Sequence, residues 1–218
     1  MALVAACGAF MAASAIAGVT VYSNSFTSKG GAGDLRHAEG KHCDKSWRKK
    51  AENVVIRAKK GRAVCGYRPP VEGDASSPNH YFQTTEKLDK STPKSVRDRV
   101  YLGVGVRSAK DTGYELWAFP TERKFKLARR AGSAKVDFLA KGKNKAIKGR
   151  GKRNVLGLKA VGSQLIANVN GKRVAKTVDR NAGQVDGRKV EVMLGYKKHR
   201  SKPVSMTVDD LKLQVPNP

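Results

Sequence analysis

Acidic residues, aromatics and catalytic signatures are all scarce in this chain of 218 residues. Only 18 Asp and Glu stand against 44 Lys and Arg, a formal charge of +26. Such an excess excludes a near-neutral exterior and points to a polyanionic partner or a strongly solvated surface. Trp, Tyr and Phe make up only 6% beside 22 Gly, a balance that suits many turns and short strands and not a bundle of long helices. No G-x-y period or sustained heptad is present, which excludes collagen and coiled coil. G-x-S-x-G, a Walker loop and a Rossmann fingerprint are missing, and Gly103-x-Gly105 lacks both a third Gly and a following helix. Neither a cofactor nor a metal site is expected. His37, His42 and Cys43, with His80 or His199, show no C-x-x-C or H-x-x-x-H ligand spacing.

Charge is missing altogether from Met1 to Ser28. Ala2 to Val21 is small and apolar, and Ala15-Ile16-Ala17 before Gly18 has the A-x-A form of a signal-peptidase site. Residues 1–17 are therefore expected to be a signal peptide or hydrophobic anchor helix, with 18–218 a single exported domain. Membrane association is expected only through that N-terminus. A basic leader is lacking, and Val4-Ala5-Ala6-Cys7 resembles a lipoprotein box without room for a signal before it. The competing reading is a buried first helix of a cytosolic domain. Export makes Cys43 and Cys65 an even pair, expected to close a loop of about 20 residues worth ~3 kcal/mol.

What the chain does have is alternation. Apolar and polar residues interchange over 54–58, 63–67, 80–87, 100–107, 114–119, 124–129, 135–139, 154–160, 164–168, 174–178, 189–196 and 205–215. The first two segments flank Lys59-Lys60-Gly61-Arg62 and are expected to pair as a hairpin. Asn170-Gly171 predicts a two-residue turn with positive φ at both positions. Segments 69–79, 90–99 and 141–153 read as loops. Short strands without helical periodicity make an antiparallel sandwich or barrel.

The order Tyr114-Glu115-Leu116, Phe125 to Arg129, Gly151 to Ala160, Gly162 to Gly171, Val178-Asp179, Gly187 and Thr207 to Leu211 resembles the concanavalin A-like lectin/glucanase superfamily. The likeness is greatest to laminin-G-like and keto-disaccharide-hydrolase-like modules of bacterial exported proteins, over roughly residues 80–215. It implies an all-β, antiparallel two-sheet jelly-roll sandwich, with 18–79 adding outer strands. The laminarinase-type E-x-D-x-x-E that supplies a retaining carboxylate pair is not matched. Glu72-Gly73-Asp74 comes nearest, Ser77 replaces the final Glu, and the segment is a loop. The alginate-lyase Q-[IV]-H strand is absent too. Glu115, Glu191, Asp209 and Asp210 read as solvated or turn-anchoring groups. A non-catalytic module therefore fits better than a divergent carbohydrate-active enzyme.

A glycan site needs aromatic platforms. Trp117 alternates with Leu116 and Ala118 and is expected on the open face beside Glu115, with Tyr101 and Arg107 sharing that face by parity. These four are the candidate glycan-binding residues. From Arg123 to Arg153 the chain carries 13 Lys and Arg and one acid, Asp137. Lys141, Lys143, Lys145, Lys148, Arg150, Lys152 and Arg153 are the candidate polyanion contacts, while Phe125 and Phe138 are expected to face the core. The expected partner is a glycan or anionic cell-envelope polymer, with nucleic acid the alternative and a merely solubilising basic surface the bland reading.

Overall fold

The computed structural model describes residues 18–59, 64–71, 78–109, 111–132, 136–185, 187–196 and 202–216. The expected leader with Cys7, the 60–63 turn and Glu72 to Ser77 lie outside the described residues.

Two antiparallel sheets form a jelly-roll-like sandwich, and period-two alternation assigns each strand an inner and an outer face. The front sheet runs β10 (Val136–Lys143), β9 (Lys124–Ala131), β8 (Thr112–Phe119), β7 (Val100–Ser108), β14 (Lys189–Tyr196), β5 (Val64–Arg68) and β2 (Arg36–Glu39). The back sheet runs β13 (Lys172–Val178), β12 (Gln164–Val169), β11 (Asn154–Val161), β6 (His80–Leu88), β15 (Val204–Pro216), β4 (Asn53–Ala58) and β3 (Cys43–Arg48). On one side of β15, β4 pairs with Val204 to Val208 and β1 (Gly18–Asn24) with Leu211 to Pro216. Leu102, Val104, Val106, Leu116, Leu127, Val192 and Leu194 of the front sheet meet Ile56, Phe82, Leu156, Leu158, Met206 and Leu213 of the back sheet in one core.

The expected hairpin between 54–58 and 63–67 does not form. β4 lies in the back sheet and β5 in the front sheet, so the chain crosses the sandwich between them. Each segment pairs instead with a strand distant in sequence, β4 with β15 and β5 with β14. Cys43 on β3 and Cys65 on β5 form a disulfide that joins the two sheets, with a Cα–Cα distance of 5.6 Å. The Asn170-Gly171 turn has φ of +50° and +74° and links β12 to β13, as expected.

At one end of the sandwich a buried polar clamp also links the sheets. Arg129 on β9 reaches Asp179, just after β13, at 2.9 Å and Asp137 on β10 at 2.6 Å. Tyr114 on β8 donates its hydroxyl to the other Asp179 oxygen at 2.9 Å. One charged pair thus gathers three front strands and the back-sheet edge, with both ends hydrogen-bonded as a buried pair requires.

Candidate functional site

The outer face of the front sheet concentrates the chain's unusual chemistry. Glu115, Trp117 and Phe119 project outward from β8, since Tyr114, Leu116 and Ala118 occupy the core. In register beside them stand Tyr101, Gly103 and Gly105 on β7, then Glu191, Met193 and Gly195 on β14. Val64, Gly66 and Arg68 continue the rows onto β5, and Glu39 sits opposite Gly66 on β2.

Two glycines shape this face by close approach. A Cβ on Gly195 would overlap the Tyr101 ring, so that ring lies flat across β14. It stacks on Trp117 at 4.7 Å and 20°, and Phe138 meets Trp117 edge-on at 5.5 Å. Tyr101 and Trp117 are consequently 2% and 8% exposed. Each ring covers the next, and the accessible aromatic is Phe138, at 43% exposure. The core position expected for Phe138 is thus overturned. Phe138 pairs in register with the outward Ala128 and alternates with Asp137, which turns inward to Arg129, while the register shift between Phe138 and Ala140 is a bulge that leaves Lys141 outward as well.

Beside the aromatics lies a hollow of about 400 Å³, lined among others by Glu39, Arg68, Glu115, Arg130, Arg188 and Glu191. Arg130 donates to Glu115 at 2.9 Å, and Trp117 Nε1 donates to the other Glu115 oxygen at 2.6 Å. Arg68 donates through Nε at 2.6 Å and through a second guanidinium nitrogen to one oxygen of Glu191. Glu115 and Glu191 are therefore buried and ion-paired, not the solvated groups expected. A Cβ on Gly66 would stand 3.4 Å from both Glu39 Oε1 and Glu191 Oε2, so both carboxylates border the space that Gly66 leaves open. Burial, with repulsion from Glu191 next, pushes the Glu39 carboxyl up to about 7. Its Oε1 has no hydrogen-bond partner among the described residues. Burial raises Glu191 as well, against the nearby Arg68 charge. The hollow can thus offer guanidinium donors, carboxylate acceptors and one carboxyl that carries a proton near neutrality.

Of the four candidate glycan residues, the structure brings Tyr101, Glu115 and Trp117 together and leaves out Arg107. Arg107 has φ of +53°. This break in strand geometry sends its side chain to the Pro78 carbonyl at 2.6 Å, Asn79 and the Gly162 carbonyl. Its guanidinium lies 5.7 Å from the centroid of the inward Tyr114 ring, and it ties loops together. The basic stretch is likewise divided. β10 runs to Lys143, so Lys141 and Lys143 are strand residues and not part of the expected loop. Arg150 holds the carbonyls of Lys90 and Thr92, and Arg153 pairs with Asp209 at 2.8 Å. Lys145 and Lys152 are exposed, and the Lys148 backbone is bound by Asn154. Glu39, Arg68, Arg130 and Glu191 were not legible as a group, because they come from four strands and no local motif joins them.

Neither a family model nor a curated relative matches the chain. Solved structures do share its fold. A Bacillus subtilis carbohydrate-binding module, CBM66, superposes with a TM-score of 0.59 at 10% identity, over 83% of this chain and 95% of that one. A B. subtilis protein of unknown function with a galectin-like fold gives 0.64 at 12% identity, over 92% and 98%. The κ-carrageenase of Pseudoalteromonas carrageenovora, solved with an oligotetrasaccharide of κ-carrageenan, gives 0.56 at 11% identity, over 96% and 99%. These likenesses establish a β-sandwich of jelly-roll type for this chain.

Proposed function

We propose that this chain is an exported, non-catalytic module of the concanavalin A-like superfamily that binds a glycan or anionic envelope polymer. Residues 1–17 would serve as leader or anchor and 18–218 as the binding domain. The inter-sheet disulfide is compatible with an extracytoplasmic location. The observation that carries the reading is the hollow lined by Glu39, Arg68, Glu115, Arg130 and Glu191 beside the Tyr101–Trp117–Phe138 aromatics. Paired charged groups with spare lone pairs and N–H bonds suit sugar hydroxyls, and the face of the exposed Phe138 ring suits sugar C–H groups. Carbohydrate-binding and carbohydrate-cleaving proteins among the structural neighbours support it by analogy of fold alone. The test is a panel of neutral and acidic glycans scored for both binding and release of reducing ends. Binding without turnover, lost in Arg68→Ala and Arg130→Ala variants that still melt cooperatively, is the expected result. Undiminished binding by both variants would remove the hollow from the site.

One observation favours a second reading, a carbohydrate-active enzyme. Glu39, pushed up to about 7 beside Glu191, has the poise of a general acid. Release of reducing ends abolished by Glu39→Gln would establish that reading in place of the first.

A further inference from the structure

Four lysines face outward from the β9–β10 edge of the front sheet in two directly opposed pairs, Lys126 with Lys141 and Lys124 with Lys143. Like charges opposite one another on a sheet are destabilising, and a sequence under selection for stability alone would alternate their signs. Lys124 has one acidic neighbour, Glu122 at 2.7 Å. Neither Lys141 nor Lys143 has an acidic partner among the described residues. Next to the two rungs the Phe138 ring stands open, with the Lys126 ammonium 3.9 Å from its centroid. The rungs are two residues apart on each strand, which places them about 7 Å apart along the ladder.

We infer that this lysine ladder, with Phe138, binds an acidic polysaccharide, a chain with one carboxylate or sulfate on each sugar repeat. The inference rests on the glycan reading above and supplies the charge of the glycan and a subsite for it. Each rung neutralises an anionic group that two separated lysines would hold less well, and Phe138, opposite Ala128 at the end of the ladder beyond the Lys126–Lys141 rung, takes the C–H face of the adjoining sugar. The ligand's charge in turn offsets the repulsion between the opposed lysines. The loop of 144–153 is not part of this subsite, because Arg150 and Arg153 are committed to Lys90, Thr92 and Asp209.

The test measures binding of the whole protein to four probes at low salt: polygalacturonate, inorganic polyphosphate, a neutral galactan and single-stranded oligothymidylate. Two triple variants remove equal charge, Lys124→Gln/Lys141→Gln/Lys143→Gln from the ladder and Lys145→Gln/Lys148→Gln/Lys152→Gln from the loop. Polygalacturonate binding is expected to fall roughly tenfold or more in the ladder variant and about threefold or less in the loop variant, with a shallower salt dependence in the former. Equal losses would show a diffuse field and overturn the ladder. Phe138→Ser should weaken polygalacturonate but not polyphosphate, which has charge without a sugar face, and a parallel loss on both probes would remove the ring from the subsite. Ladder-dependent binding that is tighter to oligothymidylate than to polygalacturonate would make the partner a nucleic acid and overturn the inference. Galactan bound without polygalacturonate would overturn this inference alone, whereas no binding to any polymer would overturn the glycan reading with it.

Discussion

Replacing Asp179 with Ala should lower the stability of this sandwich more than any exposed charge change. Asp179 accepts Arg129 at 2.9 Å, the Tyr114 hydroxyl at 2.9 Å and the Asn181 backbone N–H at 3.0 Å. The Arg129 and Asp179 side chains are 8% and 3% exposed, so water cannot replace the lost acceptor. Breaking a buried pair while leaving the other charge in place costs about 3–5 kcal/mol. Arg129 keeps Asp137 at 2.6 Å, which argues for the lower end, about 3 kcal/mol. Asp137 itself is partly exposed, so Asp137→Ala should cost about 1 kcal/mol or less. Removing both partners of the buried pair, Arg129→Met with Asp179→Leu, should recover part of the loss, since no orphaned charge remains. Urea unfolding followed by tryptophan emission gives each value from the midpoint, provided the slope is unchanged. An Asp179→Ala cost below about 1 kcal/mol, or one equal to that of Asp137→Ala, would refute the view that this clamp is sealed from solvent.

Other outcomes follow from single features. Reduction should add two hydrogens at Cys43 and Cys65, and the double Ser variant should lose about 3 kcal/mol, because the sequence separation is 22; an unchanged urea midpoint would count against it. Gly171→Val should lower the melting temperature, since a β-branched residue fits poorly at φ of +74°; an equal melt would argue otherwise. Lys143→Glu, opposite Lys124, should raise stability by up to about 1 kcal/mol by turning repulsion into attraction, and a loss would show that the rung is not strained. The Glu39 carboxyl, pushed up from 4.5 to about 7, holds a proton in the folded state that the unfolded chain has released. Its contribution is therefore full below about 4.5 and is lost as pH rises through about 7. Glu39→Gln should flatten the stability profile in that window, although Glu86, raised well above its usual value by burial, keeps a downward slope in the same direction; an identical profile in the variant would refute the shift.

Alternation was enough to read most strands from β4 to β15, because a half-buried strand must show one face to the core and the other away from it. It also puts Tyr101, Glu115 and Trp117 on one outer face, since β7 and β8 are neighbours without a bulge between these residues. The Asn170-Gly171 turn and the pairing of Cys43 with Cys65 were equally local or arithmetical matters. The short polar strands β2 and β3 carry too little alternation to announce themselves, β1 continues the apolar run that reads as a leader, and the extent of β10 was hidden by its lysines. Which sheet each strand joins was beyond local pattern, as β4 and β5 show by taking opposite sheets across a short connection. A positive φ at Arg107 then reversed one side-chain direction that parity had assigned, and Phe138 faces outward because Asp137 takes the inner face to meet Arg129. The hollow of Glu39, Arg68, Glu115, Arg130 and Glu191 exists only because pairing brings five strands into register. Sequence determines which residues a strand can present; tertiary pairing alone decides which of them stand close enough to share a charge, a proton or a ligand.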